Sequence, residues 1–114
     1  MALSERSTSS VQATIAEMVR RIVERFHPER IILFGSHACG TAGPHSDVDL
    51  LVVMQLQGSK RRRAVEIHGL LAGMGIAKDV IVVTPEEFDA YRDAPGTVIR
   101  TAWHEGKILH DHAA

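Results

Sequence analysis

Apolar residues recur along this chain in two periods. Val11, Ile15, Met18, Val19, Ile22, Val23 and Phe26 fall at helical spacing, with Arg20, Arg21, Glu24 and Arg25 off the stripe. This predicts an amphipathic helix capped by Ser9 or Ser10 and stopped by Pro28. "RIILF" (30–34) is short, apolar and β-branched, the pattern of a buried strand. "DVDLLVVM" (47–54) and "KDVIVV" (78–83) predict two more strands. In the first of these, Asp47, Asp49, Leu51 and Val53 share one face and Val48, Leu50 and Val52 the other. Residues 35–46, with three glycines and one proline, read as a loop.

Helices fill the rest. Ala64, Ile67, Leu71 and Met74 form an apolar stripe behind Lys60-Arg61-Arg62-Arg63. Thr84-Pro85-Glu86-Glu87 matches a capping box with proline in the first turn. A last helix is expected from about Thr97 to Glu105, with Val98, Ile99, Ala102 and Trp103 inward and Gly106 past its end. "KILHD" (107–111) closes the chain as a short strand. The expected fold is a small mixed β-sheet flanked by helices, in the α/β or α+β class.

Composition narrows the function classes. The 114 residues suit one domain, 1–114, with 1–10 as a polar, frayed leader. Aromatic residues make up only 4%, and the formal net charge is -1. Base-stacking platforms and nonspecific nucleic-acid binding are therefore not expected. A single cysteine, Cys39, forms no internal disulfide and suits a reducing cytoplasm. No apolar run is long enough to span a bilayer.

The chemistry concentrates at the second strand. Aspartate is a poor strand former, yet Asp47 and Asp49 open an otherwise apolar run. Strand geometry sets their α-carbons about 6.5–7 Å apart on one face, so both carboxylates can turn toward one point. A divalent cation would relieve their repulsion, and hard oxygen donors suit Mg²⁺. Gly35-Ser36, at the end of the first strand, lets backbone and hydroxyl donors approach phosphate oxygens. Asp79 opens the third strand with an apolar run behind it. If that strand neighbours the Asp47–Asp49 strand, three carboxylates meet at one edge and suit a two-metal site.

Each feature also has a plainer reading. Asp47 would cap a turn, Asp79 would be an ordinary turn residue, and Gly35 would merely serve a bend. The apolar run behind Asp47 and Asp49 weighs against this. Were Asp79 elsewhere, Glu66 or Glu87 would be the third carboxylate to consider. Lys60 to Arg63 is either a solvated face or, near the strand mouth, a docking surface. His37, Cys39 and His45 lack paired metal-ligand spacing, Cys39 is an inert thiol, and His110 and His112 are solvated near the terminus.

"GS…G…SDVDLLVV" resembles the GS-x(n)-DxD signature of the DNA polymerase β-type nucleotidyltransferase superfamily. The short chain and its closing "GTVIRTAWHEGKIL" look most like the minimal nucleotidyltransferases. That resemblance implies a polymerase β-like fold and transfer of AMP from ATP to a hydroxyl, with release of pyrophosphate. It implies Gly35 and Ser36 at the triphosphate, and Asp47 and Asp49 on two Mg²⁺ ions. Asp79 would ligate the catalytic metal and help deprotonate the acceptor. Such proteins are often antitoxins paired with a HEPN-domain toxin, whose tyrosine would be the acceptor. The alternatives are a binding module that neutralises its partner by occlusion, and transfer to a small molecule. The loop "GSHACG" departs from the common GSRARG pattern, with His37 and Cys39 where basic residues are common.

Overall fold

The computed structural model describes residues 3–43 and 46–112, with side chains from Val11 onward. Its elements are α1 (Leu3–Phe26), β1 (Arg30–Phe34), α2 (Ser36–Cys39), β2 (Val48–Val53), α3 (Lys60–Leu70), β3 (Lys78–Val83), α4 (Pro85–Tyr91), α5 (Val98–Glu105) and β4 (Lys107–Asp111). The four strands form one mixed sheet in the order β3-β2-β1-β4. β1 runs antiparallel to both β2 and β4, while β2 and β3 are parallel. The α/β class with a mixed sheet between helices is as the sequence predicts.

Side-chain alternation splits the core into two layers. Val48, Leu50 and Val52 of β2 and Val80 and Val82 of β3 face Ile15, Met18 and Ile22 of α1 and Ile67 of α3. Leu51, Val53 and Val83 face the other way, against Phe88 of α4 and Ile99 and Ala102 of α5. β1 supplies both layers, Ile31 and Leu33 to the first and Ile32 and Phe34 to the second. Parallel β2 and β3 need a crossover, which α3 supplies; Ala64 and Ile67 of α3 cover the first layer, together with Leu71 and Met74, which lie past the helix end at Leu70 rather than on it.

The structure corrects several local expectations. α1 begins at Leu3, well before Ser9 or Ser10, because neither glycine nor proline interrupts 3–26. Ser36–Cys39 forms a short helix inside the expected loop. Val98 is 40% exposed, so it does not face inward with Ile99 and Ala102. His110 is not a solvated terminal residue, because β4 pairs it with Ile31 and its Nε2 is buried. Gly106 is required for a reason other than a left-handed cap. Its backbone is extended, and a Cβ there would stand 2.6 Å from the Leu33 carbonyl oxygen. His45 lies outside the described residues.

Candidate active site

β1 ends in buried Phe34 and turns at Gly35 with φ +76, a value that L side chains rarely adopt. A second constraint acts on the same residue. A Cβ on Gly35 would run into the Asp49 carboxylate. Phe34 and Asp49 are register partners across β1 and β2, which brings that carboxylate over the turn. After Gly35, the Ala38 and Cys39 amides both donate to its carbonyl at 3.1 Å, and Ala38 is buried. Gly40 ends the turn in the left-handed conformation. Ser36 and His37 are thereby held half-buried at the rim of the sheet.

The three aspartates sit at the same end of the sheet. β2 and β3 are parallel neighbours in which Asp49 is level with Asp79. Such partners have α-carbons about 4.8 Å apart, with side chains on one face. Asp47 immediately precedes β2 and is exposed, and Val48 is tied to the β3 side through its amide bond to the Ala77 carbonyl at 2.9 Å. Burial raises the pKa of Asp49, and the charges of Asp79 and Asp47 raise it further. His37 acts in the opposite sense. The four side chains therefore share one electrostatic neighbourhood.

Among the described residues, no three His, Cys, Asp or Glu side chains are drawn together as in a filled metal centre. The donor set nevertheless fits a hard divalent cation: all three aspartates offer oxygen, and the strain on Asp49 is of the kind a cation relieves. Cys39 is exposed and free.

Two other features lie away from these carboxylates. The basic run is not at the strand mouth, contrary to the docking expectation. α3 leaves from the far end of β2, and Lys60 Nζ pairs with Glu87 Oε2 at 2.6 Å, just beyond the far end of β3. Six residues of strand, roughly 20 Å, separate the two ends. Arg63 is engaged as well, with Glu66 at 3.0 Å and over the Phe26 ring at 5.0 Å. A cavity of about 720 Å³ forms an apolar groove between α1 and β4, lined by Val11, Ile15, Val19, Leu33 and Leu109. His37, which also lines it, links its rim to the carboxylate neighbourhood.

The nucleotidyltransferase domain family matches residues 15–110, from within α1 to the penultimate residue of β4. The chain belongs to that family. Its fold is similar to that of a Sulfolobus solfataricus protein assigned as a nucleotidyltransferase and solved at 1.40 Å. The match has a TM-score of 0.62 and 21% identity, and covers 92% of this chain and 89% of the other. No curated protein matches the chain significantly. Among the described residues of this nucleotidyltransferase, no helix is long and apolar enough to cross a membrane.

Proposed function

We propose that this nucleotidyltransferase moves AMP from ATP to a protein hydroxyl, with the site formed by Gly35, Ser36, Asp47, Asp49 and Asp79. The observation that carries the reading is the level placement of Asp49 and Asp79 on parallel neighbours, beside a glycine turn too tight for a Cβ. Gly35 lets the backbone and the Ser36 hydroxyl reach the triphosphate. Asp47 and Asp49 would hold two Mg²⁺ ions, with Asp79 completing the ligand set of one. Bound there, the ions would neutralise charge on the phosphates and lower the acceptor's pKa.

The chain's own residues then have three tasks. Ser36 and the Gly35 turn orient the α-phosphorus for in-line attack. Asp79 accepts the acceptor's proton as the acceptor oxygen bonds to that phosphorus. The bond from phosphorus to the bridging oxygen breaks, and pyrophosphate leaves with the electron pair. Such transfer depends chiefly on positioning and charge stabilisation, which a small sheet edge suffices to supply.

The acceptor we favour is a tyrosine of a HEPN-domain toxin, which makes this protein an antitoxin acting in the cytoplasm. Resemblance to the minimal nucleotidyltransferases motivates that choice. The test is intact mass spectrometry of the partner after incubation with this protein, ATP and Mg²⁺. A gain of one or more AMP units, absent with Asp47→Asn, is expected. The occlusion alternative has a physical basis in the apolar groove beside α1. Equal neutralisation by wild type and Asp47→Asn, with no mass gain in either, would establish occlusion instead.

A further inference from the structure

His37 occupies the position where a cation is common in the resembling proteins, yet its ring is committed to something else. Its Nε2 lies 3.2 Å from the Ser46 carbonyl oxygen, nine residues ahead. A carbonyl oxygen only accepts, so the bond requires the proton on Nε2. The neutral Nε2–H tautomer provides it, and so does the imidazolium. The contact therefore does not depend on which of these two forms is present.

Ser46 is itself bonded to Gly43 in both directions. Its hydroxyl accepts from the Gly43 amide at 2.8 Å, and its amide donates to the Gly43 carbonyl at 3.2 Å. Asp47 follows directly. On the other side of the bond, α2 is firmly seated by buried Ala38 and by the Gly35 carbonyl that accepts two amides. Thr41, just after α2, donates its amide to the Ser36 carbonyl at 3.0 Å, and among the described residues the His37 bond is the tie to α2 nearest Asp47. The ring also stands close enough to Asp49 to favour its charge.

We infer that His37 is a positioning residue: its Nε2–H, donated to the Ser46 carbonyl, latches the residue before Asp47 to α2 and so sets where Asp47 is presented to the metal. This rests on the site reading proposed above. It assigns a loop histidine to metal-ligand placement, where a basic residue would instead meet phosphate. Outer partners that orient a ligand typically contribute tenfold or more to metal affinity.

Two measurements on the full chain test it. The first uses no metal. Long-range ¹⁵N–¹H correlation spectra of His37 should show a protonated Nε2, and a neutral ring protonated only at Nδ1 would overturn the latch, because two acceptors do not bond. The second is Mn²⁺ binding followed by electron paramagnetic resonance. His37→Phe keeps the ring shape without the donor, and His37→Gln keeps an N–H donor of similar reach. The dissociation constant should rise about tenfold in His37→Phe and stay within about threefold of wild type in His37→Gln. Equal affinity in all three would overturn the positioning role and leave His37 as groove packing. If wild type and Asp49→Asn both fail to bind Mn²⁺, the site reading fails, and the role assigned to His37 fails with it. The tautomer spectrum separates that outcome from loss of the bond itself.

Discussion

At Asp49 the proposed function and the stability of the fold would oppose each other. Its pKa is raised because it is partly buried and faces Asp79 and Asp47. A carboxyl whose folded pKa exceeds its unfolded value weakens the fold as pH rises through that folded value. Without metal, Asp49→Asn should therefore melt higher than wild type at pH 7, and the difference should shrink on acidification. The same substitution should abolish Mg²⁺-dependent ATP binding in calorimetry. A lower melting temperature without metal would show that Asp49 is a structural hydrogen-bonding residue. Gly35→Ala tests the other half of the constraint. It places a Cβ against the Asp49 carboxylate at φ +76, and should cost about 1–3 kcal/mol in denaturant unfolding. The need for glycine was legible in the Gly35-Ser36 pair, but its physical cause was not, since the collision depends on the register that sets Phe34 against Asp49.

Among the elements, α4 carries the clearest local code. Thr84 Oγ1 accepts from the Glu87 amide at 3.1 Å, and Glu87 Oε1 accepts from the Thr84 amide at 3.0 Å. Thr84→Ala should destabilise the protein by about 1 kcal/mol. Glu87 also pairs with Lys60, and the hydrogen bond from Lys60, followed by that from Thr84, lowers its pKa below 4.5. Its contribution is therefore fully present above pH 4.5 and is lost as pH falls through the lower folded value. Urea melts of wild type and Glu87→Gln should converge on acidification; a constant gap across that range would show that charge plays no part. The capping box and the four strands were readable because each follows from neighbours in sequence. α2 was not, because four residues carry no period and buried Ala38 is visible only after folding. The basic start of α3 was misplaced for a related reason. Its distance from the site depends on strand direction, and β2 and β3 both point away from the carboxylate end.

Over the whole molecule, the sheet order brings residues scattered along the sequence to one end of the sheet. Parallel pairing of β2 with β3 aligns Asp79 with Asp49, and antiparallel pairing of β1 with β2 returns Gly35 to the same end. The sheet is braced on its second face by Phe88, whose ring meets Trp103 edge-on at 5.3 Å with Arg30 over both. Phe88→Ala should cost about 3–5 kcal/mol in denaturant unfolding while leaving the carboxylate end in place. The sequence alone named Gly35, Ser36, Asp47, Asp49 and Asp79, because charge at the mouth of an apolar strand is conspicuous. It did not reveal the His37–Ser46 bond, which spans a loop without periodicity. The central claim is that these three aspartates hold the metal of nucleotidyl transfer. Anomalous diffraction from crystals grown with Mn²⁺ and a nonhydrolysable ATP analogue tests it most directly. The account predicts an anomalous peak among the carboxylates of Asp47, Asp49 and Asp79, with the triphosphate at the Gly35-Ser36 turn. Nucleotide and metal bound together elsewhere, with these carboxylates still apart, would contradict it.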